Sequence, residues 1–496
     1  MKLFRQDIYL KVTHIELNMV MVDTLNGKNS PLVSRTFSCL FIAALFLASP
    51  STAWSETAPK KFSLTHCIEI ALSNSTSARK AENALKLQGA DVLRNYGRFL
   101  PRLSSSASYS PYTLSRTYAP DISGEITNVK TSNKSVNLTV TTSLNLFNGF
   151  NDYASLQAAL KKEDAAQYSL SRALQAIAFD VTQAYYQILL NQELLAIARE
   201  NLLLAQNQMT LTDRQFQIGL KSMIDRNQQQ ADAAESGLSV IKAETRMQKS
   251  MLELVRRLQI DPLTTFSLEP LDGLNSPLPL KLDPDTLVKL AYQQRSDLKG
   301  KELEVSASKW GITQARAAYY PRLDVTFNVS SGGIEYLHPS IGYTYPPLSD
   351  QLAKTIGYSV ALNLSWTIFD GFQTRYNVEA AKINQINQQY DYEDLKNNIL
   401  IDLHEAAGEY RSALMQIETA KISLKAAQSA FDGIKRKSEL GAVSFIELSM
   451  ARATLFTARS NLSQATYNLA LQKSILDFST GSIAIPSQPE SGIPVK

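Results

Sequence analysis

The chain has 496 residues, of which 44% are hydrophobic and 19% charged, a balance that excludes wholesale disorder and leaves room for a buried core. A formal charge of +4 is no footprint for nucleic acid. Two cysteines and four scattered histidines (His14, His66, His338, His404) exclude a disulfide-stapled scaffold and offer no metal-type spacing.

From the N-terminus, Lys28 and Arg35 precede the apolar run CLFIAALFLA at 39–48, and Ser51-Thr52-Ala53 supplies the small residues a signal peptidase requires. Residues 1–53 therefore read as a secretory signal peptide cleaved after Ala53; the apolar run is too short to span a bilayer as a helix. The segment before Lys28 is long for a signal, so Met19 and Met21 are alternative starts. Cys39 opens the run instead of closing it, the wrong place for a lipidated cysteine, and an unlipidated mature chain beginning near Trp54 is expected. It would keep only Cys67; five Lys/Arg and three Asp/Glu in the first 53 residues leave it with +2.

The remainder is one unit written twice. Phe99-Leu100-Pro101-Arg102-Leu103 recurs as Tyr319-Tyr320-Pro321-Arg322-Leu323, and Leu146-Phe147-Asn148-Gly149-Phe150 as Ile368-Phe369-Asp370-Gly371-Phe372. Ile218-Gly219-Leu220-Lys221-Ser222-Met223-Ile224-Asp225 is matched by Leu440-Gly441-Ala442-Val443-Ser444-Phe445-Ile446-Glu447, and the three offsets are 220, 222 and 222 residues.

Each copy begins with a helix, 63–98 or 285–318, ended by Pro101 or Pro321 because proline pushes the preceding residue out of helical space. Two strands around a loop follow. Then Gly149 or Gly371 turns the chain into a proline-free helix, 151–218 or 373–440, which would reach about 100 Å at 1.5 Å per residue. No compact domain buries the apolar stripe of such a helix, so it must lie along other long helices. A tight turn then leads into a returning helix, 223–258 or 445–478. The expected layout is a first repeat at 54–260, a proline-rich connector at 261–284, a second repeat at 285–480 and a flexible tail at 481–496.

Residues 135–147 and 355–369 alternate apolar and small polar side chains, the period of a two-faced sheet. These strands exceed the usual five or six residues and suit the roughly 9–11 that cross a bilayer. Phe147, Phe150, Phe369 and Phe372 gather at one end and Tyr336, Tyr343 and Tyr345 at the other, resembling the aromatic girdles of membrane barrels. Four strands cannot close a barrel and lipid tolerates no open edge, so membrane strands must be pooled by several chains; three would supply twelve.

At the tips, Gly219 and Gly441 read as helix C-cap glycines. Ser222 with Asp225 and Ser444 with Glu447 fit the capping box, in which the carboxylate satisfies free N–H groups of the next helix. The catalytic alternative is weak: no phosphate-cradling glycine loop, no Ser/His/Asp set and no ligand spacing occur, so no enzyme and no cofactor are expected. A structural or adhesive coiled-coil protein of the envelope is the rival reading; it predicts sustained heptads and no long alternating strands.

Signal peptide, doubled helix-strand-strand-hairpin units and the Gly-x-x-(Ser/Thr)-x-x-(Asp/Glu) tips together resemble the TolC-type outer membrane efflux and secretion channels, over essentially the whole mature chain. The resemblance implies a mainly α fold with a membrane β-barrel portion. It would be a homotrimer in which long helical hairpins form a periplasmic tunnel and four strands per chain contribute to a 12-stranded barrel in outer membrane lipid. The connector and tail would lie in an equatorial belt.

It further implies an exit duct for efflux or type I secretion, working with a periplasmic adaptor and an inner-membrane pump of ABC or RND type. Tip residues Ile218, Gly219, Leu220, Ser222, Leu440, Gly441, Ala442 and Ser444 would meet the adaptor, and Asp225 and Glu447 would ring the constriction. The chain departs from the family at Ser438 and Val443, where Tyr and Arg hold the entrance closed in other members, and at Met450, where a second acid would sit. Closure would then depend on other contacts.

Overall fold

The computed structural model describes residues 60–120, 123–264, 266–270, 283–337, 345–440, 442–483 and 485. The expected signal peptide, Gly441, Tyr343, most of the connector and the end of the tail lie outside the described residues. Strand β1 (Lys60–Phe62) leads into α1 (Leu64–Asn74), α2 (Thr76–Gly97), β2 (Arg102–Pro120), β3 (Ile126–Asn148), the long helix α3 (Asn151–Gln217) and the returning helix α4 (Met223–Leu258). After β4 (Phe266–Leu268) come α5 (Pro284–Gln294), α6 (Ser296–Arg316), β5 (Arg322–Tyr336), a short α7 (Leu348–Lys354), β6 (Ile356–Ser365), α8 (Gln373–Glu439) and α9 (Phe445–Thr480).

The single opening helix expected in each repeat is two. The breaks fall at Ser75 (ψ 123°) and Arg295 (ψ 117°), 220 residues apart and each only 5% exposed. No proline or glycine marks them. Each break is the dock for the far end of its own repeat's returning helix. At the first, Asn74 donates to the Leu258 carbonyl at 3.3 Å, while Gln259 accepts from the Thr76 N–H at 3.1 Å and donates to its hydroxyl at 3.2 Å.

At the second, Arg295 donates to the Ser479 carbonyl at 3.3 Å and is clamped by Asp297 at 2.6 and 3.0 Å. Arg172 lies 3.5 Å from the same carboxylate and stacks on Phe478, 3.8 Å from the ring centroid. Burial pulls the Arg172 guanidinium down to about 10, opposed by the Asp297 charge. Burial would raise the Asp297 carboxyl, but the hydrogen bonds and charge of Arg295, then Arg172, hold it below the usual range.

The connector is not purely irregular, since β4 pairs in parallel with β1. Tyr185 secures that pair, its hydroxyl lying 3.2 Å from the Phe62 carbonyl and 2.6 Å from that of Glu269. Around it Cys67, Ile188, Leu254 and Leu258 form the largest apolar cluster, and burial raises the Cys67 thiol to about 12.

The four long strands form one antiparallel sheet in the order β2-β3-β5-β6. β3 spans 23 residues, about 75 Å at 3.3 Å per residue, so the sheet outruns a bilayer crossing even when strongly tilted. No described helix is long and apolar enough to cross a membrane. The strand expected to reach Phe369 stops at Ser365 because its neighbour β5 starts at Arg322, the partner of Ser365. The short α7, also unforeseen, is pinned to β5 by Gln351, which bonds the Ile334 N–H at 2.9 Å and carbonyl at 3.0 Å.

α3 is flanked by α2, α4, α6 and α9, whereas α8 touches mainly α6 and α9. Tyr376, Ile401, Met415 and Ile422 of α8 are consequently exposed, as is every residue of β6 except Ala361. The fold is an arc with two unfinished edges: β2 with α2, and β6 with α8.

Sheet and helices are joined by tight turns with two successive positive φ values, 66° and 68° at Gly149-Phe150 and 67° and 70° at Gly371-Phe372. Both turns carry an edge-to-face aromatic pair, Phe147 with Phe150 and Phe369 with Phe372, at 5.5 Å between centroids. A Cβ at position 149 would lie 2.4 Å from the Ala317 carbonyl oxygen. Gly149→Ala should therefore add overpacking to left-handed strain and cost about 2–5 kcal/mol. A lowered unfolding midpoint in detergent would register that loss.

Candidate functional site

The two helix-turn-helix tips are built alike from backbone requirements. α3 closes with the Leu220 N–H donating to the Gln215 carbonyl at 2.8 Å and the Gly219 N–H to Phe216 at 2.9 Å, a Schellman end with Gly219 at φ 79°. α8 ends with the corresponding bond from the Ala442 N–H to the Lys437 carbonyl at 2.9 Å. Gly441 itself lies outside the described residues.

Ser222 and Asp225 make the full capping box: the Asp225 N–H donates to the Ser222 hydroxyl oxygen and the Ser222 N–H to the Asp225 carboxylate, each at 3.1 Å. At the second tip only half of it forms. The Glu447 N–H donates to the Ser444 hydroxyl oxygen at 3.3 Å, but the carboxylate meets that hydroxyl at 3.4 Å and not the Ser444 N–H. Glu447 is thus exposed and little constrained, and Asp225 is fixed in its turn.

The apex around them is greasy: Ile218, Leu220, Ile224, Leu440 and Ile446 are all more than 60% exposed. The other singled-out positions, Pro101, Gly149, Pro321 and Gly371, lie at the opposite ends of the long helices, where helix meets strand.

Behind the tips, charged pairs brace the helices within one hairpin and between the two hairpins. Arg226 of α4 pairs with Asp213 of α3 at 2.7 Å. Arg452 of α9 is bonded to Asp232 of α4, with Ser449 also on that carboxylate at 3.5 Å. Farther up, Arg459 forks onto Glu200 of α3 at 2.7 and 2.8 Å. Arg452 is 7% exposed, while Met450 is 66% exposed.

Among the described residues the charged ties from hairpin to hairpin run through Arg452 and Arg459. Sequence reading missed Arg452, although one signal was present: Leu448, Arg452, Leu455 and Arg459 share one helical stripe, so both arginines sit on a face that must be buried. One turn from Asp232, Gln229 is 1% exposed and neither its amide oxygen nor its nitrogen has a partner among the described residues. An unpaired buried amide opposes the packing that encloses it by about 1–3 kcal/mol.

Bonds from the Ser222 backbone and then its side chain hold the Asp225 carboxyl below its ordinary value. The folded pKa is depressed, so the stabilisation is present above the unfolded value near 3.9 and is lost as pH falls through the folded pKa. Amide-exchange protection of the first turn of α4 should be flat from pH 7 to 5 and decline below about 4. In Asp225→Asn that decline should be absent.

Residues 67–258 and 287–482 each match the family model described as outer membrane efflux protein. The protein CyaE of Bordetella pertussis is 24% identical over 350 residues, covering 69% of this chain and 68% of the relative. The alkaline protease secretion protein AprF of Pseudomonas aeruginosa is 25% identical over 304 residues, covering 61% and 60%. The Campylobacter jejuni CmeC outer membrane channel superposes with a TM-score of 0.72 at 16% identity, over 93% of this chain and 95% of that one. The family model matches most of the chain, and the chain belongs to the outer membrane efflux protein family: it is a TolC-type channel of the Gram-negative outer membrane, with a helical tunnel reaching into the periplasm.

Proposed function

We propose that three copies close the β2-β3-β5-β6 arcs into one twelve-stranded barrel and their helices into one tunnel, forming the passive exit duct of a tripartite efflux or secretion assembly. The carrying observation is the pair of unfinished edges: β6 and β2 each have a strand on one side only, a state lipid does not tolerate. The apolar tips around Ile218, Leu220, Leu440 and Ala442 take a periplasmic adaptor, and an inner-membrane pump of ABC or RND type supplies the energy. Asp225 and Glu447, repeated in each copy, place carboxylates near the entrance. AprF is by its name a secretion protein, and protein export stands beside small-molecule efflux for this chain.

The first test is extraction from outer membranes. A particle of three chains by native mass, with sheet in its circular dichroism and conductance in a planar bilayer, is the expected result; a water-soluble rod would refute it. Charge reversal by Glu447→Lys should reduce cation preference in the same recordings. Asp232 and Arg452 serve as the tie that keeps the entrance narrow. Truncating either leaves its partner's charge buried, worth about 3–5 kcal/mol, so Arg452→Ala should raise single-channel conductance; unchanged conductance with the particle intact would remove the tie from the gate.

A further inference from the structure

Resting on the barrel reading above, in which the apolar face of the sheet meets lipid, we propose that Arg116 and Lys130, with Lys134 beside them, bind the phosphate groups of the glycolipid that forms the outer leaflet of the membrane.

One face of the sheet is apolar over its middle. Val136, Leu138, Val140, Leu144 and Leu146 of β3 stand on it; Val140 and Leu144 oppose Val329 and Val325 of β5, which oppose Tyr358 and Leu362 of β6. From Val136 to Leu146 the band is about 33 Å of strand, or roughly 25 Å of height at a tilt near 40°, which matches the apolar band of an outer membrane barrel. Lys134 and Lys130 continue the same face beyond Val136, towards the β2–β3 loop and away from the helices. They leave the band on the outer side of the membrane.

Arg116 reaches that face through a bulge. Along the first part of β2, Ala107 and Tyr109 oppose Leu138 and Val136, and Ser104, Ser106, Ser108 and Ser110 take the polar side. Between Ser110 and Thr113 the register shifts, three steps of β2 meeting two of β3. Pro111 sits in the bulge, where a missing N–H costs nothing. Beyond it Leu114, Arg116 and Tyr118 oppose Ser132, Lys130 and Asn128 and have crossed to the side of Val136. Without the extra residue Arg116 would stand with the serines.

The shift sets Arg116 directly across from Lys130, with about 5 Å between Cβ atoms, and like charges so placed weaken a strand pair. A bound anion reverses the sign of that interaction. The other cations on this side are already served: Lys134 meets Glu335 at 3.7 Å, and Lys354 of α7, which lies over Ser331 and Gly333, meets Asp350 at 3.9 Å. Arg116 and Lys130 are exposed, and neither forms an ion pair among the described residues. Guanidinium and ammonium are the two side chains that take phosphate. Exposed Leu114 and Tyr118 flank them on the same face, which suits a ligand whose phosphates adjoin acyl chains better than a free anion.

Native mass spectrometry of the detergent-purified channel tests the site, with lipid A as the probe. The wild type should retain lipid A, and Arg116→Gln/Lys130→Gln should retain it about thirtyfold less tightly, the factor for two cations near an anionic surface. The exchange Arg116→Lys/Lys130→Arg should restore retention, and dephosphorylated lipid A should bind the wild type no better than lipid A binds the double Gln variant. Equal retention by the double Gln variant with its circular dichroism unchanged overturns the proposal. So does equal retention of the dephosphorylated lipid by the wild type, or displacement of lipid A by millimolar inorganic phosphate, the mark of a site for a free anion. A wild type that needs no detergent overturns the barrel reading instead.

Discussion

The constraint from which the rest follows is that every backbone N–H and C=O of the sheet must be paired where no water can serve. Inside the chain β3 and β5 meet it, and the edge strands β2 and β6 do not. Because each strand runs through a tight turn into a helix of 67 residues, the edge is inherited over the full length of the molecule. α3 has neighbours on both flanks and buries alanines and large apolar residues alike; α8, of the same length and position in its repeat, leaves much of its stripe bare. Sheet and helices are thus left open on the same side of the chain.

The repeats share a plan but differ in chemistry where each returning helix docks. In the first, amide side chains bridge the break at Ser75; in the second, Arg295, Asp297 and Arg172 perform the same closure with charge. A charged cluster shielded from water costs more when broken than an amide bridge. The tail end of the second repeat, Gly481, is held by Gln175 at 3.2 Å.

The tips show opposing terms. The Asp232–Arg452 tie favours close-lying hairpins, while Gln229, buried without partners, disfavours them. Both act within three residues of one another on α4, and their difference is of the order of a few kcal/mol.

Much of this was legible in order of residues. Period 3.6 without proline places both long helices to within a residue at each end, and Gly219 and Ser222 mark their tip because cap chemistry is local. The alternation in 135–147 marks a strand, since the face a side chain takes is a local property. What the sequence by itself determined is therefore the doubled plan, the length of each stave and the turns between them. Only the tertiary structure decided the helix breaks at Ser75 and Arg295, the pairing of β1 with β4, the early end of β6 and the meeting of Arg452 with Asp232, 220 residues apart in the chain. Each depends on which distant segment arrives to bond it, and periodicity carries no record of that.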